Sequence, residues 1–296
     1  MLESIRRAVA QVSAEQVRGA SWSAETLASA VLEDASSGKA SCDNLDDIGR
    51  LLISANPTMG SIDNLLWSLR TACYEGRELK DGASIFLEYL RWSHSELVKR
   101  SVELAKDTPI SIITISYSSN VIDVISALSS ESMVKKVYVL ESVPGGEGRN
   151  AAAELRSRKV NVELIPDAAA SSYIGSVDIA LIGADNATTD GCIYNKLGSK
   201  SLAIIAGYFG KPVIAAFEPY KITQESRCGS VKLLERSYQA DPWGEVSYKV
   251  FDELTRDLVD AVLSVKGLND NTPAQLGVLR RSFEEWIEKG LKGGSA

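Results

Sequence analysis

Apolar side chains recur at Leu27, Val31 and Leu32, a three-to-four-residue spacing that predicts a helix over 23–32 with Ser23 as its N-cap. Before it, Met1-Leu2-Glu3-Ser4-Ile5-Arg6-Arg7 reads as the start of an amphipathic helix. The same periodicity predicts helices over 45–54, over 61–76 through Ile62, Leu65, Leu66 and Leu69, and over 83–105 through Phe86, Leu87, Leu90, Leu97 and Leu104. Proline punctuates the chain at Asp107-Thr108-Pro109, and the pattern then changes. Short β-rich apolar runs at 110–115, 137–140, 160–165, 179–182, 213–217 and 246–251 alternate with helical stretches at 120–129, 148–158, 168–174 and 199–209. Stretches 254–266 and 273–291 read as closing helices. Alternation of strand and helix implies right-handed crossovers and a mostly parallel sheet covered on both faces. The expected fold class is therefore α/β, with a helical domain over 1–107 and an α/β domain over 108–296 that carries an extra C-terminal helix.

A length of 296 residues suits two such units. The formal charge of −7 argues against direct nucleic-acid binding through a basic surface, while leaving room for a local phosphate pocket. No apolar run reaches the roughly 18–20 residues that cross a bilayer, so no membrane partner is expected. The N-terminus lacks a signal-peptide apolar region, which places the chain in the cytoplasm as an expectation. Only the final Gly-Gly-Ser-Ala suggests disorder. Cys42, Cys73, Cys192 and Cys228 are far apart and form no C-x-x-C pair, so they read as small buried residues or inert thiols. His94 is the sole histidine and reads as a half-exposed helix residue. A zinc site and most Ser-His or Cys-His schemes fall away with it, and no metal or cofactor is expected.

Ligands of open parallel sheets sit beyond the carboxyl ends of the strands, which directs attention to the residues after each apolar run. After Ile115 comes Ser116-Tyr117-Ser118-Ser119-Asn120, whose hydroxyls and backbone N–H groups either hold an anion or simply cap the next helix. After Leu140, Gly146, Gly148 and Ala151 fit G-x-G-x-x-A with Asp167 further on. This weak dinucleotide fingerprint is misplaced, because it follows the second strand and not the first. After Ile182 come Asp185 and then Asn195-Lys196 before a new helix. These suit a phosphorylated ligand, with Asp185 holding hydroxyls or exchanging a proton and Lys196 supplying charge, or else a buried structural network.

Taken together, Gly183-Ala184-Asp185, Gly191, Asn195-Lys196-Leu197-Gly198-Ser199, Lys211-Pro212-Val213, Glu218 and Tyr220-Lys221 resemble the signature of one family. It joins the alpha, beta and delta subunits of translation initiation factor 2B to ribose-1,5-bisphosphate and methylthioribose-1-phosphate isomerases. Arg18-Gly19-Ala20, Pro57-Thr58, Glu141-Ser142, Glu147-Gly148-Arg149 and Phe251-Asp252 resemble further motifs of that family, and the likeness spans roughly 10–267. The resemblance implies a helical N-terminal domain and a Rossmann-like C-terminal domain. It also implies dimers or larger homo-oligomers, and an initiation factor 2 subunit as partner.

The departures bear on activity. The family's isomerases carry a catalytic cysteine after the first strand; Ser116 stands there, and a hydroxyl is a far weaker acid than a thiol with its pKa of about 8.5. Two family arginines are replaced by Asn56 and Val143, each loss removing about 1.5–3 kcal/mol of charge-assisted hydrogen bonding. The resemblance thus implies a regulatory, non-catalytic protein with a retained pocket for a phosphorylated sugar or nucleotide. Its ligand residues would be Arg18, Gly19, Ala20, Asn56, Ser118, Asp185, Asn195, Lys196 and Lys221. The alternative is an aldose–ketose isomerase with Asp185 as acid/base and Ser116 in the place of the thiol. A nicotinamide-dependent oxidoreductase using Gly146 and Gly148 ranks last.

Overall fold

Five helices precede the first strand in the computed structural model, which describes residues 2–105, 108–223 and 227–293. They are α1 (Glu3–Ala14), α2 (Ala20–Ser36), α3 (Leu45–Ala55), α4 (Gly60–Tyr74) and α5 (Leu79–Lys99). Their apolar faces close one core around Leu27, Leu52, Leu65 and Phe86, all buried. The expected boundary residue Asp107 and the last three residues of the Gly-Gly-Ser-Ala tail lie outside the described residues. Ser23 is not a cap: α2 starts three residues earlier, after Gly19, and the Ser23 hydroxyl donates to the Gly19 carbonyl at 3.2 Å.

The α/β part comprises β1 (Ile110–Ile115), α6 (Ser119–Ser130), β2 (Val134–Leu140), α7 (Glu147–Ser157), β3 (Val162–Ile165), α8 (Ala170–Tyr173) and β4 (Ile179–Ile182). Then come β5 (Asn186–Thr188), β6 (Ile193–Lys196), α9 (Ser199–Tyr208), β7 (Val213–Ala216) and β8 (Ile222–Thr223). The chain finishes with β9 (Glu235–Gln239), β10 (Glu245–Lys249), β11 (Phe251–Leu254), β12 (Ala261–Ser264), β13 (Gly267–Asp270) and α10 (Pro273–Leu291). The main sheet runs β13-β12-β7-β4-β1-β2-β3, parallel except for the antiparallel edge strand β13. Side chains of β1 alternate between its two faces, with Ile113 in one core and Ile112 in the other. From β1 the chain winds outward first through β2 and β3, then through β4, β7 and β12. The carboxyl ends of β1 and β4 therefore form a topological switch point.

Two expectations are corrected. Stretch 254–266 is not a helix but the end of β11, a single 3-10 turn and β12. Val259, Val262 and Leu263 imitate a helical face, yet Val262 and Leu263 point into opposite cores because β12 is covered on both faces. The single strand expected over 246–251 is divided between β10, in an exposed hairpin with β9, and β11, which pairs with β6 in a second sheet. The closing helix α10 does form, and it packs against α5. Tyr89 and Phe283 rings lie 5.0 Å apart, and Trp92 stacks on Trp286 at 4.6 Å. Among the described residues no helix is long and apolar enough to cross a membrane.

The cysteine expectation also fails. Cys42 is bonded to Cys73, joining the start of α3 to the end of α4, and Cys192 to Cys228. Pairing across 31 and 36 residues leaves no local pattern in the sequence.

Candidate functional site

Two loops meet at the switch point. β1 delivers Ser116, held in the left-handed region at φ 67° while its N–H donates to the Ser142 hydroxyl at 2.7 Å. β4 is followed by Gly183-Ala184-Asp185, and Gly183 is required because a Cβ there would lie 2.7 Å from the Ser118 hydroxyl. Asp185 is fixed through its backbone, its N–H donating to the Tyr194 carbonyl and its carbonyl accepting from Gly60. Its half-buried carboxylate lies in the same cleft as Gly19 and Ala20, at the start of α2. The N-terminal helical layer thereby closes one wall of the site.

Arg18, Gly19, Asn56, Ser116, Asp185 and Lys196 line a single cleft. Gly19, Ala20, Ser116, Ser118, Asp185, Asn195 and Lys221 line its continuation. All the residues singled out from the sequence thus come together, although several have structural duties. Ser118 caps α6, accepting from Val121 N–H at 3.4 Å. Asn195 donates to the Ser199 hydroxyl at 2.9 Å, and Asn56 accepts from Thr58 N–H at 3.1 Å. Arg18 stays exposed, its guanidinium 5.1 Å from the centre of the Trp22 ring. The G-x-G-x-x-A loop is explained without a nucleotide. Gly146 has φ 77°, and a Cβ on Gly148 would lie 1.8 Å from the Leu140 carbonyl oxygen. Both oxygens of Asp167 are taken by the N–H groups of Ser142 and Val143.

Charge inside the cleft is arranged in pairs. Lys196 forms an ion pair with Glu147, a buried carboxylate at the start of α7 that accepts no hydrogen bond besides this contact. Lys221 pairs with Glu218 at 3.1 Å, and both are buried. Burial raises the Asp185 pKa above the ordinary carboxylate range, against the opposing pull of Lys221, Lys196 and the Ala20 N–H. Glu218 behaves in the opposite way. Burial would raise it, but Lys221, His94 and Asn120 hold it at about 2. His94 is therefore more than a half-exposed helix residue: Nε2 lies 2.9 Å from Asp123, and Nδ1 is 3.1 Å from Asn120 and 3.7 Å from Glu218. These partners lift its pKa to about 10, Asp123 and Glu218 outweighing burial.

Glu147, Glu15, Tyr117 and Arg236 also line the cleft and were not picked out as site residues. Glu147 stands in a Gly-rich loop where an acid reads as a turn residue. Arg236 comes from the exposed β9 and donates to the Glu15 carbonyl at 2.5 Å, a contact spanning most of the chain. Free space in this part of the cleft is about 40 Å³, with Arg18 exposed at its edge. Elsewhere, donor atoms of Cys192, Cys228 and Glu253 lie within 4.8 Å of one another, but the two sulfurs are spent on their mutual bond.

Residues 16–269 match the family model described as the initiation factor 2 subunit family. The chain is 31% identical over 237 residues to a putative translation initiation factor eIF-2B subunit 2-like protein of Pyrococcus horikoshii, covering 79% of this chain and 85% of the relative. It is 28% identical over 254 residues to the ribose 1,5-bisphosphate isomerase of Methanocaldococcus jannaschii, covering 82% of each. Among solved structures it superposes on the translation initiation factor eIF-2B of Pyrococcus horikoshii OT3 with a TM-score of 0.83 at 28% identity, covering 93% of this chain and 99% of the other.

Proposed function

The chain belongs to the initiation factor 2 subunit family, and from that premise we propose a regulatory, non-catalytic protein that takes a phosphorylated sugar or nucleotide in the switch-point cleft. One observation carries this reading. Asp185, Lys196 and Lys221 converge where β1 supplies a serine hydroxyl, so the cleft keeps its groups for phosphate and sugar hydroxyls but offers no thiol. A serine hydroxyl reacts only beside a base that takes its proton, and the sole histidine is committed to Asp123 and Glu218. In this reading Arg18, Ser118, Asn195, Lys196 and Lys221 contact the phosphate, Asp185 contacts sugar hydroxyls, and Gly19, Ala20 and Asn56 shape the wall.

The second reading, an aldose–ketose isomerase, draws support from Asp185, whose raised pKa suits an acid/base. Calorimetric titration with ribose-1,5-bisphosphate, methylthioribose-1-phosphate and adenosine monophosphate tests the binding. An assay for conversion of the two sugars tests turnover. Binding without conversion is expected; turnover abolished by Asp185→Asn would reverse the ranking, and no heat from any ligand would retire the pocket.

Assembly follows as part of the proposal. On α9, Ile204 and Tyr208 are 53% and 86% exposed, followed by the 47% exposed Phe209, an apolar row suited to a second copy of the chain. Light scattering that reports only monomer would remove this part. Pull-down with an initiation factor 2 subunit tests the partner implied by family membership.

A further inference from the structure

Cys192 immediately precedes β6, and Cys228 lies between β8 and β9. Glu253 joins them from β11. It stands directly across from Tyr194 in the β6–β11 ladder, so its side chain shares a face with Tyr194 and with Cys192 two positions earlier. One donor atom from each of Cys192, Cys228 and Glu253 therefore falls within 4.8 Å of the other two. Hydrogen bonds hold the carboxylate in place. Its Oε2 accepts from the Tyr194 hydroxyl at 2.7 Å and from the Gly229 N–H at 2.7 Å, while no described residue donates to Oε1. A carboxylate with one oxygen fixed and the other free is oriented as a metal ligand requires. Glu253 and Gly229 also line a cavity of about 690 Å³, which gives solvent access to the group. Among the described residues the other cysteine pair, Cys42 and Cys73, has no such third donor.

We propose that, once the Cys192–Cys228 bond is reduced, these three residues form a site for a divalent cation of the zinc class, with a water from the cavity as the fourth ligand. Thiolate donors select zinc over magnesium or calcium, and three protein ligands with one open position suit its tetrahedral geometry. The Cα atoms of the two cysteines are 5.4 Å apart. Side-chain rotation then brings the sulfurs to the separation of about 3.8 Å that two thiolates adopt on one tetrahedral zinc with bonds of about 2.3 Å. The reductant is a dithiol. It becomes a disulfide, its two electrons and two protons pass to Cys192 and Cys228, and the metal displaces those two protons as it binds. Two positive charges against three negative ones leave the centre anionic, which Lys232 and Lys249 on the cavity wall offset. Redox state thus decides whether the chain after β8 is fastened to β6 by a covalent bond or through a metal. The site is independent of what the switch-point cleft binds, because none of its three ligands lines that cleft.

The test is titration of the full-length protein with Co²⁺, a spectroscopic stand-in for zinc, after reduction by a dithiol and anaerobic removal of the reductant. Co²⁺ binds one-to-one with a thiolate-to-cobalt charge-transfer band, Zn²⁺ displaces it, and the oxidised protein gives no band. Cys228→Ser abolishes the band and Cys42→Ser retains it. Glu253→Gln weakens binding by about tenfold or more. Its amide oxygen still accepts from Tyr194 and Gly229, so this variant keeps the test decisive if Cys228→Ser does not fold, as melting temperatures establish. The proposal is overturned by no band up to about 1 mM Co²⁺, by a band that survives Cys228→Ser or vanishes in folded Cys42→Ser, or by an unchanged affinity in folded Glu253→Gln.

Discussion

The pairing of His94 with Asp123 and Glu218 sets how stability depends on pH. The pKa of His94 rises from an ordinary 6.5 to about 10, so the folded state binds its proton more tightly than the unfolded chain does. A raised pKa contributes stability that is fully present below pH 6.5 and is lost as pH climbs through about 10. Each pH unit of that rise is worth about 1.4 kcal/mol, which gives on the order of 5 kcal/mol before screening. His94 is 36% exposed and shares Glu218 with Lys221, and solvent screening reduces the figure to about 2 kcal/mol. His94→Gln removes the titration while leaving a polar side chain beside Asn120, so wild type should lose stability between about pH 6.5 and 10 where the variant stays level. Urea denaturation across that range, followed by circular dichroism, gives both slopes. Parallel curves for the two proteins would refute the account, because the proton would then not be held by this contact.

Other perturbations reach the remaining contacts. Glu147→Gln frees Lys196 and should tighten ribose 5-phosphate binding by about tenfold while lowering stability by about 3–5 kcal/mol, since a buried ammonium loses its partner; weaker binding by calorimetry would contradict the paired-charge reading. Gly148→Ala places a Cβ against the Leu140 carbonyl and should cost about 3 kcal/mol or more, and a wild-type melting temperature would show that α7 can move away from β2. Breaking Cys42–Cys73 by Cys42→Ser opens a loop of 31 residues and should cost about 3–4 kcal/mol; an unchanged unfolding midpoint under oxidising conditions would show that the bond constrains little.

Legibility from sequence followed locality. The helices of the first hundred residues could be read because their buried apolar residues recur every three to four positions, as Ile48, Leu52 and Ala55 do in α3. β12 could not, because a strand covered on both faces has no period of two to read. Ser116 and Asp185 were found because parallel strands deliver their successors to one edge, a rule that requires no knowledge of contacts, whereas Lys196 ends β6 in the second, antiparallel-paired sheet and was legible through its motif. What escaped was everything set by distant pairing. Glu218 reaches Asn120 across 98 positions, Arg236 reaches Glu15 across 221, and the cysteines pair across more than 30. Such partners leave no periodicity, and an acid in a glycine-rich loop resembles any solvated turn.

The distribution of charge in the cleft also determines how ligand binding should respond to pH. Lys196 has Glu147 and Lys221 has Glu218, while Asp185 has no cation to itself and is biased by burial toward its protonated form. Protonated, Asp185 adds no negative charge beside a phosphate and can donate to a sugar oxygen. Ionised, it repels the phosphate that the two lysines would attract. Affinity for ribose 5-phosphate should therefore fall as pH rises through the titration of Asp185. The phosphate has its own second pKa of about 6, which strengthens binding as pH rises and so opposes the Asp185 effect and must be separated out. Asp185→Asn provides that separation, since it keeps the ligand's titration and removes the protein's. Calorimetry across the titration of the two groups should show affinity rising with pH for the variant, and rising less, or falling, for wild type. Identical profiles would mean that the charge of Asp185 is not felt by the bound phosphate, and this account of the cleft's pH response would fall.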